Sequence, residues 1–247
     1  MFQFDNRIIW IILGVLLLFG LSSLLTSPER LLGLVLTIPG VLIAITFHEF
    51  AHAFAADKLG DDTPRMQGRL TLNPLHHLDP IGSILLLTAG FGWGKPVQIN
   101  PRNFDRKISM TAGEAIVSFA GPLTNFILAF LFLIILYVIN VTRIITNVEV
   151  LYILNLVLQY AVVINIGLGI FNLIPLPPLD GSKILNHFLP YNARQWFMNN
   201  QMIFYMIFMI IWITNLSSVI LNPLFSATFD GMNFLVSKMF GINLFIM

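Results

Sequence analysis

Long apolar runs separated by short polar breaks dominate the pattern of the chain. At a rise of 1.5 Å per residue, a helix of about 20 residues crosses the hydrocarbon core of a bilayer. Runs of about this length or longer occupy residues 8–26, 31–54, 112–141, 150–173 and 202–221. The first run lacks a basic flank and a small-residue cleavage site, which favours a span over a cleaved signal peptide. The pattern predicts an all-α polytopic membrane protein, with residues 232–247 at the membrane interface.

The region after the second span has a different character. Pro, Gly, Asn and charged residues recur through residues 58–110, and the apolar piece at residues 81–88 is too short for an ordinary transmembrane helix. We expect a loop region with short strands here. Residues 81–93 either cross the membrane or enter and return on the same side. The fold class predicted is therefore about five to six transmembrane helices with a short, strand-containing re-entrant region.

Positive charges distinguish the two topologies. If residues 81–93 cross, the 13 Lys and Arg residues divide almost evenly between the two sides and give no orientation. If they re-enter, only Arg30, Arg143 and Lys238 lie on one side, and the other ten share the opposite side. Because cytoplasmic loops carry the excess of Lys and Arg, the five-span topology is favoured, with the loop after the second span in the cytoplasm.

Composition narrows the class of protein further. The chain has 247 residues, of which 57% are hydrophobic and 10% charged, and its net charge is +1. This balance suits a single membrane domain over residues 1–247, embedded in the lipid bilayer, and argues against a nucleic acid as partner. There are no cysteines, so disulfides, Cys-based metal sites and thiol catalysis are excluded.

One short motif inside the second span carries chemistry. His48 and His52 are four residues apart and flank Glu49 in the pattern H-E-x-x-H. On a helix, this spacing places two imidazoles on one face, where they can share a zinc ion, and places the Glu to act as a general base. Ionisable residues within a membrane span are costly and usually functional. The alternative, that these are packed core histidines, is the weaker interpretation.

A catalytic zinc usually has three protein ligands, and Asp180 is the candidate for the third. It follows a long apolar run and a proline-rich break, and Gly181 after it permits a tight backbone approach. In the five-span topology, two crossings separate it from the second span, which returns it to the same side as His52. The alternative is that Asp180 caps a helix that begins near Ser182. His76 and His77 lie between prolines, outside this spacing, and are not expected to be ligands.

Five further motifs accompany H-E-F-A-H: N-P-L-H-H-L-D-P-I-G at residues 73–82, G-F-G-W-G-K-P-V at 90–97, N-P-R-N-F at 100–104, A-G-P-L-T-N at 120–125 and N-L-I-P-L-P-P-L-D-G at 172–181. Together these motifs resemble the site-2 protease family of intramembrane zinc metalloproteases. The resemblance extends over about residues 31–189, the expected catalytic core. The chain is most similar to the compact prokaryotic branch, so we do not expect the PDZ or CBS domain that other branches carry.

The resemblance implies residue roles and a setting. It implies that His48, His52 and Asp180 bind one zinc ion, that Glu49 is the general base, and that the Asn172 amide contacts the substrate carbonyl or oxyanion. Gly121 is expected to pack beside the catalytic helix, and Asn125 either to pack there or to touch substrate. The substrates implied are transmembrane proteins, cut at a site toward the cytoplasmic side of a bacterial or archaeal cell membrane. A membrane zinc carrier and an inactive scaffold of this fold are the alternatives, and the presence of Glu49 disfavours both.

Overall fold

The structure, a computed structural model, describes residues 27–80, 82–83, 94–214 and 216–241. Within them the chain is mainly helical. The α-helices are α1 (Pro28–Lys58), α2 (Thr63–Met66), α3 (Met110–Thr142), α4 (Val148–Leu173), α5 (Asp180–Phe188), α6 (Tyr191–Asn199), α7 (Gln201–Ile213) and α8 (Leu216–Phe240). Two single-turn 3-10 helices, Pro74–His76 and Pro101–Asn103, lie in the connection between α1 and α3.

Four of these helices are long and apolar enough to cross a membrane: Leu31–Lys58, Met110–Thr142, Val148–Leu173 and Leu216–Phe240. The first three confirm the helices predicted at residues 31–54, 112–141 and 150–173. The predicted first span at residues 8–26 and most of the predicted re-entrant segment at residues 81–93 lie outside the described residues.

The prediction for the last span is wrong in its bounds. Residues 202–221 do not form one helix, because α7 ends at Ile213 and α8 begins at Leu216. The Thr214 N–H and hydroxyl both donate to the carbonyl of Ile210, which completes the last turn of α7. The membrane-length helix is α8, and it includes most of the segment predicted to lie separately at the interface from residue 232. Hydropathy measures apolar length and does not locate such a helix end.

The short strands expected after α1 are also absent from the described part of this region. It contains only an isolated antiparallel bridge between Leu78 and Gly94. Two Asn-Pro pairs instead begin 3-10 turns, in which the side chains of Asn73 and Asn100 accept hydrogen bonds from backbone N–H groups two residues on. Asn and Pro favour turns over strands for this reason, since Asn caps the turn and Pro fixes its φ angle.

Helix α3 packs against both α1 and α4 and forms the centre of the bundle. Its residues Leu133 and Tyr137 are completely or almost completely buried against Val162 and Ile166 of α4. Helices α1 and α4 also approach closely, because a Cβ atom on Gly40 would lie 2.9 Å from the Ala161 Cα atom. This close packing brings polar residues on α1, α3 and α4 within hydrogen-bonding distance of one another.

A buried carboxylate holds the polar connection against the end of α1. Asp61 accepts hydrogen bonds from the Thr63 N–H and hydroxyl, from the Asn100 N–H at 2.6 Å and from the Asn103 amide at 2.9 Å. Burial alone would raise the pKa of Asp61, but these donors outweigh burial and hold its pKa below the ordinary value. The segment that precedes α3 is thereby fixed beside the helix that carries the histidines.

Replacing Asp61 with Ala is expected to destabilise the protein by about 2 kcal/mol or more, because four donors lose a charged acceptor. A lower thermal unfolding temperature of the detergent-solubilised protein would show this. The contribution of Asp61 is present above a pH of about 4 and is lost as the pH falls further, since its folded pKa lies below its unfolded pKa. Asp62→Ala is the matched control, because Asp62 is exposed and its side chain caps no helix. Equal destabilisation by both changes would contradict the prediction.

Candidate metal centre

Two buried histidines project from one face of α1, about two turns before the helix ends. His48 and His52 are 5% and 8% exposed, and their Nε2 atoms lie 3.0 Å apart. Their rings meet edge to face with centroids 4.6 Å apart. The spacing of four residues therefore produces the shared face that the sequence predicts.

Asp180, the first residue of α5, reaches the same point. Its Oδ2 atom lies 3.2 Å from His48 Nε2 and 3.1 Å from His52 Nε2, and the residue is 8% exposed. Gly181 makes this possible, since a Cβ atom there would overlap the carbonyl oxygens of Leu173 and Ile174. The N-cap of α5 is Leu179, so the alternative that Asp180 caps a helix near Ser182 is wrong. Lys183 lies 3.7 Å from the other oxygen, Oδ1.

The three facing atoms fit a tetrahedral zinc ion. Zn–N and Zn–O bonds of about 2.0–2.1 Å place tetrahedral ligand atoms about 3.3 Å apart, close to the distances of 3.0–3.2 Å here. Two imidazoles and one carboxylate are also a ligand set that catalytic zinc uses, with one position left open. In the described part of the chain, one group of ligand atoms could together hold a metal, namely that of His48, His52 and Asp180.

The outer nitrogen of each imidazole faces an oxygen. His48 Nδ1 lies 2.6 Å from Asn125 Oδ1, and His52 Nδ1 lies 2.7 Å from the Val117 carbonyl oxygen. Since both oxygens only accept, each Nδ1 carries the proton and donates it, and each Nε2 presents a lone pair. Two lone pairs and a carboxylate then converge on one point. A cation there relieves their mutual repulsion, so the tautomers fit metal binding.

Gly121 of α3 lies directly against both rings. A Cβ atom at this position would be 2.6 Å from His52 Cε1 and Nε2, and 2.7 Å from His48 Cε1. The packing role predicted for Gly121 fits this contact. One face of α3 carries three residues spaced by four: Val117, Gly121 and Asn125. Val117 accepts a hydrogen bond from His52, Asn125 accepts one from His48, and Gly121 between them leaves room for both rings. Because His48 pairs with Asn125 and His52 pairs with Val117, α1 and α3 run antiparallel.

Glu49, between the two histidines, faces the polar connection. Its Oε2 atom accepts a hydrogen bond of 3.0 Å from the Val97 N–H. Gly94 approaches the same carboxylate, because a Cβ atom there would lie 3.7 Å from Glu49 Oε1. This backbone contact fixes the orientation of the Glu49 carboxylate.

The other candidate residues make contacts of their own. The Asn172 amide donates to the carbonyl of Leu168, one turn earlier in its own helix, at 3.0 Å. Its predicted contact with substrate stays a prediction. His76 is exposed, and His77 is buried with its Nε2 atom 2.7 Å from the Thr71 carbonyl oxygen. Neither belongs to the group of ligand atoms that could hold a metal in the described residues.

Sequence reasoning missed one polar residue near the site. Asn165 of α4 is completely buried, and its Oδ1 atom accepts a hydrogen bond of 3.0 Å from the Asn125 amide. An amide in the middle of an apolar, membrane-length helix is costly, and that cost was the available signal. What it contacts depends on how three helices are rotated, which the apolar pattern does not encode.

Membrane-length helices surround a buried group of two histidines and one carboxylate, with a Glu beside it. This combination defines the class of membrane-embedded zinc metalloproteases. The family model described as Peptidase family M50 matches residues 149–215. YwhC of Bacillus subtilis, which is named as a zinc metalloprotease, is 39% identical over 200 residues, which are 81% of this chain and 90% of YwhC. The chain belongs to peptidase family M50.

Two further relatives, also named as zinc metalloproteases, match over shorter lengths. Rip2 of Mycobacterium tuberculosis H37Rv is 31% identical over 165 residues, which are 65% of this chain and 60% of Rip2. MJ0611 of Methanocaldococcus jannaschii is 33% identical over 97 residues, which are 39% of this chain and 44% of MJ0611. No solved structure matches the chain.

Proposed function

We propose that this protein is an intramembrane zinc endopeptidase that hydrolyses peptide bonds within or near transmembrane segments of membrane proteins, as in regulated intramembrane proteolysis. The observation that carries the proposal is the convergence of His48, His52 and Asp180, three acceptors within 3.2 Å of one another, beside Glu49. These three residues would hold one zinc ion per chain. Residues 1–247 would form a single protease domain, with a catalytic core at about residues 31–189.

The chemistry divides between the metal and the chain. When bound, zinc polarises the scissile carbonyl and brings the pKa of a water molecule toward 7. Glu49 takes the proton of the attacking water and later delivers it to the leaving amine, so one carboxylate serves both steps. The Val97 N–H holds Glu49 Oε2 and thereby orients the base. Asn172 would stabilise the oxyanion once its amide leaves the Leu168 carbonyl.

The site is proposed to lie toward the cytoplasmic side of the cell membrane of a prokaryote. We propose five spans, namely residues 8–26 and the four membrane-length helices of the described part, with residues 81–93 re-entrant. The antiparallel pairing of α1 with α3 supports this arrangement, since the end of α1 and the start of α3 then share a side. The ten Lys and Arg residues expected on that side make it cytoplasmic.

A membrane zinc carrier would use similar ligands, but one feature disfavours it. A carrier must release its metal, and it needs no carboxylate oriented as a base next to the ligands. Glu49 is held in that position by a backbone hydrogen bond of 3.0 Å. The membership of the chain in a peptidase family also agrees with hydrolysis.

Metal removal tests the proposed function. Purified protein incubated with a panel of single-span membrane proteins is expected to cut at least one of them. A zinc chelator should abolish cleavage, and added zinc should restore it, because the ligand set fits zinc. Mass spectrometry of the products would locate the cut. Cleavage that persists after complete zinc removal would contradict the proposal, and zinc uptake into vesicles without cleavage would favour the carrier.

A further inference from the structure

We infer that Asn125 and Asn165 form an amide relay that positions His48 for zinc and selects its tautomer. The amide relay is defined as the hydrogen-bonded series His48, Asn125 and Asn165, one residue from each of α1, α3 and α4. It rests on the proposed function, in which His48 is a zinc ligand. Neither Asn touches the metal, so both are positioning residues.

The Asn125 amide is fully occupied. Its Nδ2 donates to the Ala44 carbonyl at 3.1 Å and to Asn165 Oδ1 at 3.0 Å, which uses both of its hydrogens. Its Oδ1 is 2.6 Å from His48 Nδ1. The residue is completely buried, so no solvent competes for these contacts.

The direction of every bond follows from two backbone carbonyls, which can only accept. The Ala161 carbonyl takes a hydrogen bond of 2.8 Å from Asn165 Nδ2, and so Asn165 must turn its oxygen toward Asn125. Asn125 therefore donates with Nδ2, to Asn165 and to the Ala44 carbonyl, and turns Oδ1 toward His48. His48 must then donate from Nδ1, which leaves the Nε2 lone pair for the metal.

A reversed Asn125 amide would have the opposite effect. Its NH2 group would face His48 Nδ1 and would favour the tautomer with the proton on Nε2, which cannot bind zinc. Asn165 and Ala44 both oppose that reversal, so loss of Asn165 weakens the preference and loss of Asn125 removes it. Groups that orient a metal-binding His in this way typically change metal affinity by about 10- to 100-fold.

The test measures zinc affinity, by competition with a chromophoric chelator, on the purified full chain in detergent. Asn165→Leu is expected to weaken zinc binding by about 10-fold and Asn125→Leu by about 100-fold. Asn125→Asp keeps an acceptor for His48 Nδ1 but turns its second oxygen toward two acceptors, the Ala44 carbonyl and Asn165 Oδ1. It should therefore bind zinc more weakly than wild type but more tightly than Asn125→Leu. The visible spectrum of the cobalt-substituted protein provides a second readout, which should change for both Leu variants and persist for Asn125→Asp.

Asn155→Leu is the matched control. Asn155 also lies on α4 and pairs with an amide of α3, since Asn140 and Asn155 exchange hydrogen bonds of 2.8 and 3.2 Å. That pair has no bond to His48, so its loss should leave zinc affinity unchanged. Circular dichroism and the thermal unfolding temperature would confirm that each variant folds.

The outcomes separate this inference from the proposed function. The amide relay would be overturned if Asn165→Leu bound zinc with wild-type affinity, or if Asn155→Leu lost as much zinc affinity as Asn165→Leu. Either result would leave the proposed protease function intact. So would an Asn125→Asp variant that binds zinc as weakly as Asn125→Leu, which would also overturn the amide relay. A wild-type protein that binds no zinc would instead overturn the proposed function, and the inference with it.

Discussion

Glu49→Gln is expected to lower the rate of substrate cleavage by about 10²- to 10⁴-fold, the usual contribution of a general base. Gln has almost the shape of Glu, and its amide oxygen can still accept the hydrogen bond that Glu49 Oε2 receives from the Val97 N–H at 3.0 Å. The amide cannot accept a proton from water at neutral pH. Cleavage of a single-span substrate, followed by gel electrophoresis over a series of enzyme concentrations, would measure the loss.

Zinc content separates this effect from loss of the metal site. Glu49 is not among the three residues whose ligand atoms converge, so Glu49→Gln should retain one zinc per chain. Glu149→Gln is the matched control, because Glu149 is exposed in the first turn of α4 and should leave the rate unchanged. A Glu49→Gln protein that still cuts at the wild-type rate would contradict the assignment of the base, as would a loss of activity fully explained by missing zinc.

Much of the membrane architecture follows from the apolar pattern. The apolar runs at residues 31–54, 112–141 and 150–173 predict α1, α3 and α4. In the bilayer core the backbone N–H and C=O groups must hydrogen-bond to one another, and a helix achieves this within one segment. The separation of α7 from α8 was missed, since hydropathy measures apolar length and does not locate helix ends. The strands expected after α1 do not occur in the described part of that segment, where local Asn-Pro turns determine the backbone.

The candidate site was predictable where spacing and topology determine it. His48 and His52 converge because residues four apart lie on the same face of a helix. Asp180 reaches them because α3 and α4 are two consecutive membrane-length helices, which bring the chain back to the same side. Asn165 was not predictable in this way. Its contact with Asn125 requires a particular rotation and depth of two neighbouring helices, and both helices are apolar on most sides.

Gly121→Ala tests whether close contact between α3 and the imidazoles is necessary for the site. The added Cβ atom would lie 2.6 Å from His52 Nε2 and 2.7 Å from His48 Cε1, well inside van der Waals contact. Either the rings rotate or α3 moves away, and both changes displace Nε2 atoms that now lie 3.0 Å apart. A displacement of about 1 Å in a catalytic site commonly costs about 10²-fold in rate, so we expect activity to fall by at least that factor.

Zinc affinity should fall with activity in Gly121→Ala, by about 10-fold or more, because the two proposed ligands, His48 and His52, are displaced. Gly167→Ala is the matched control, since a Cβ atom at Gly167 of α4 meets nothing within 4 Å. It makes the same change within another membrane-length helix and should preserve zinc binding and cleavage. Chelator competition and substrate cleavage measured on both variants separate contact with the two imidazoles from a general effect of an added methyl group. Wild-type zinc affinity in Gly121→Ala would show that α3 can give way without moving the imidazoles.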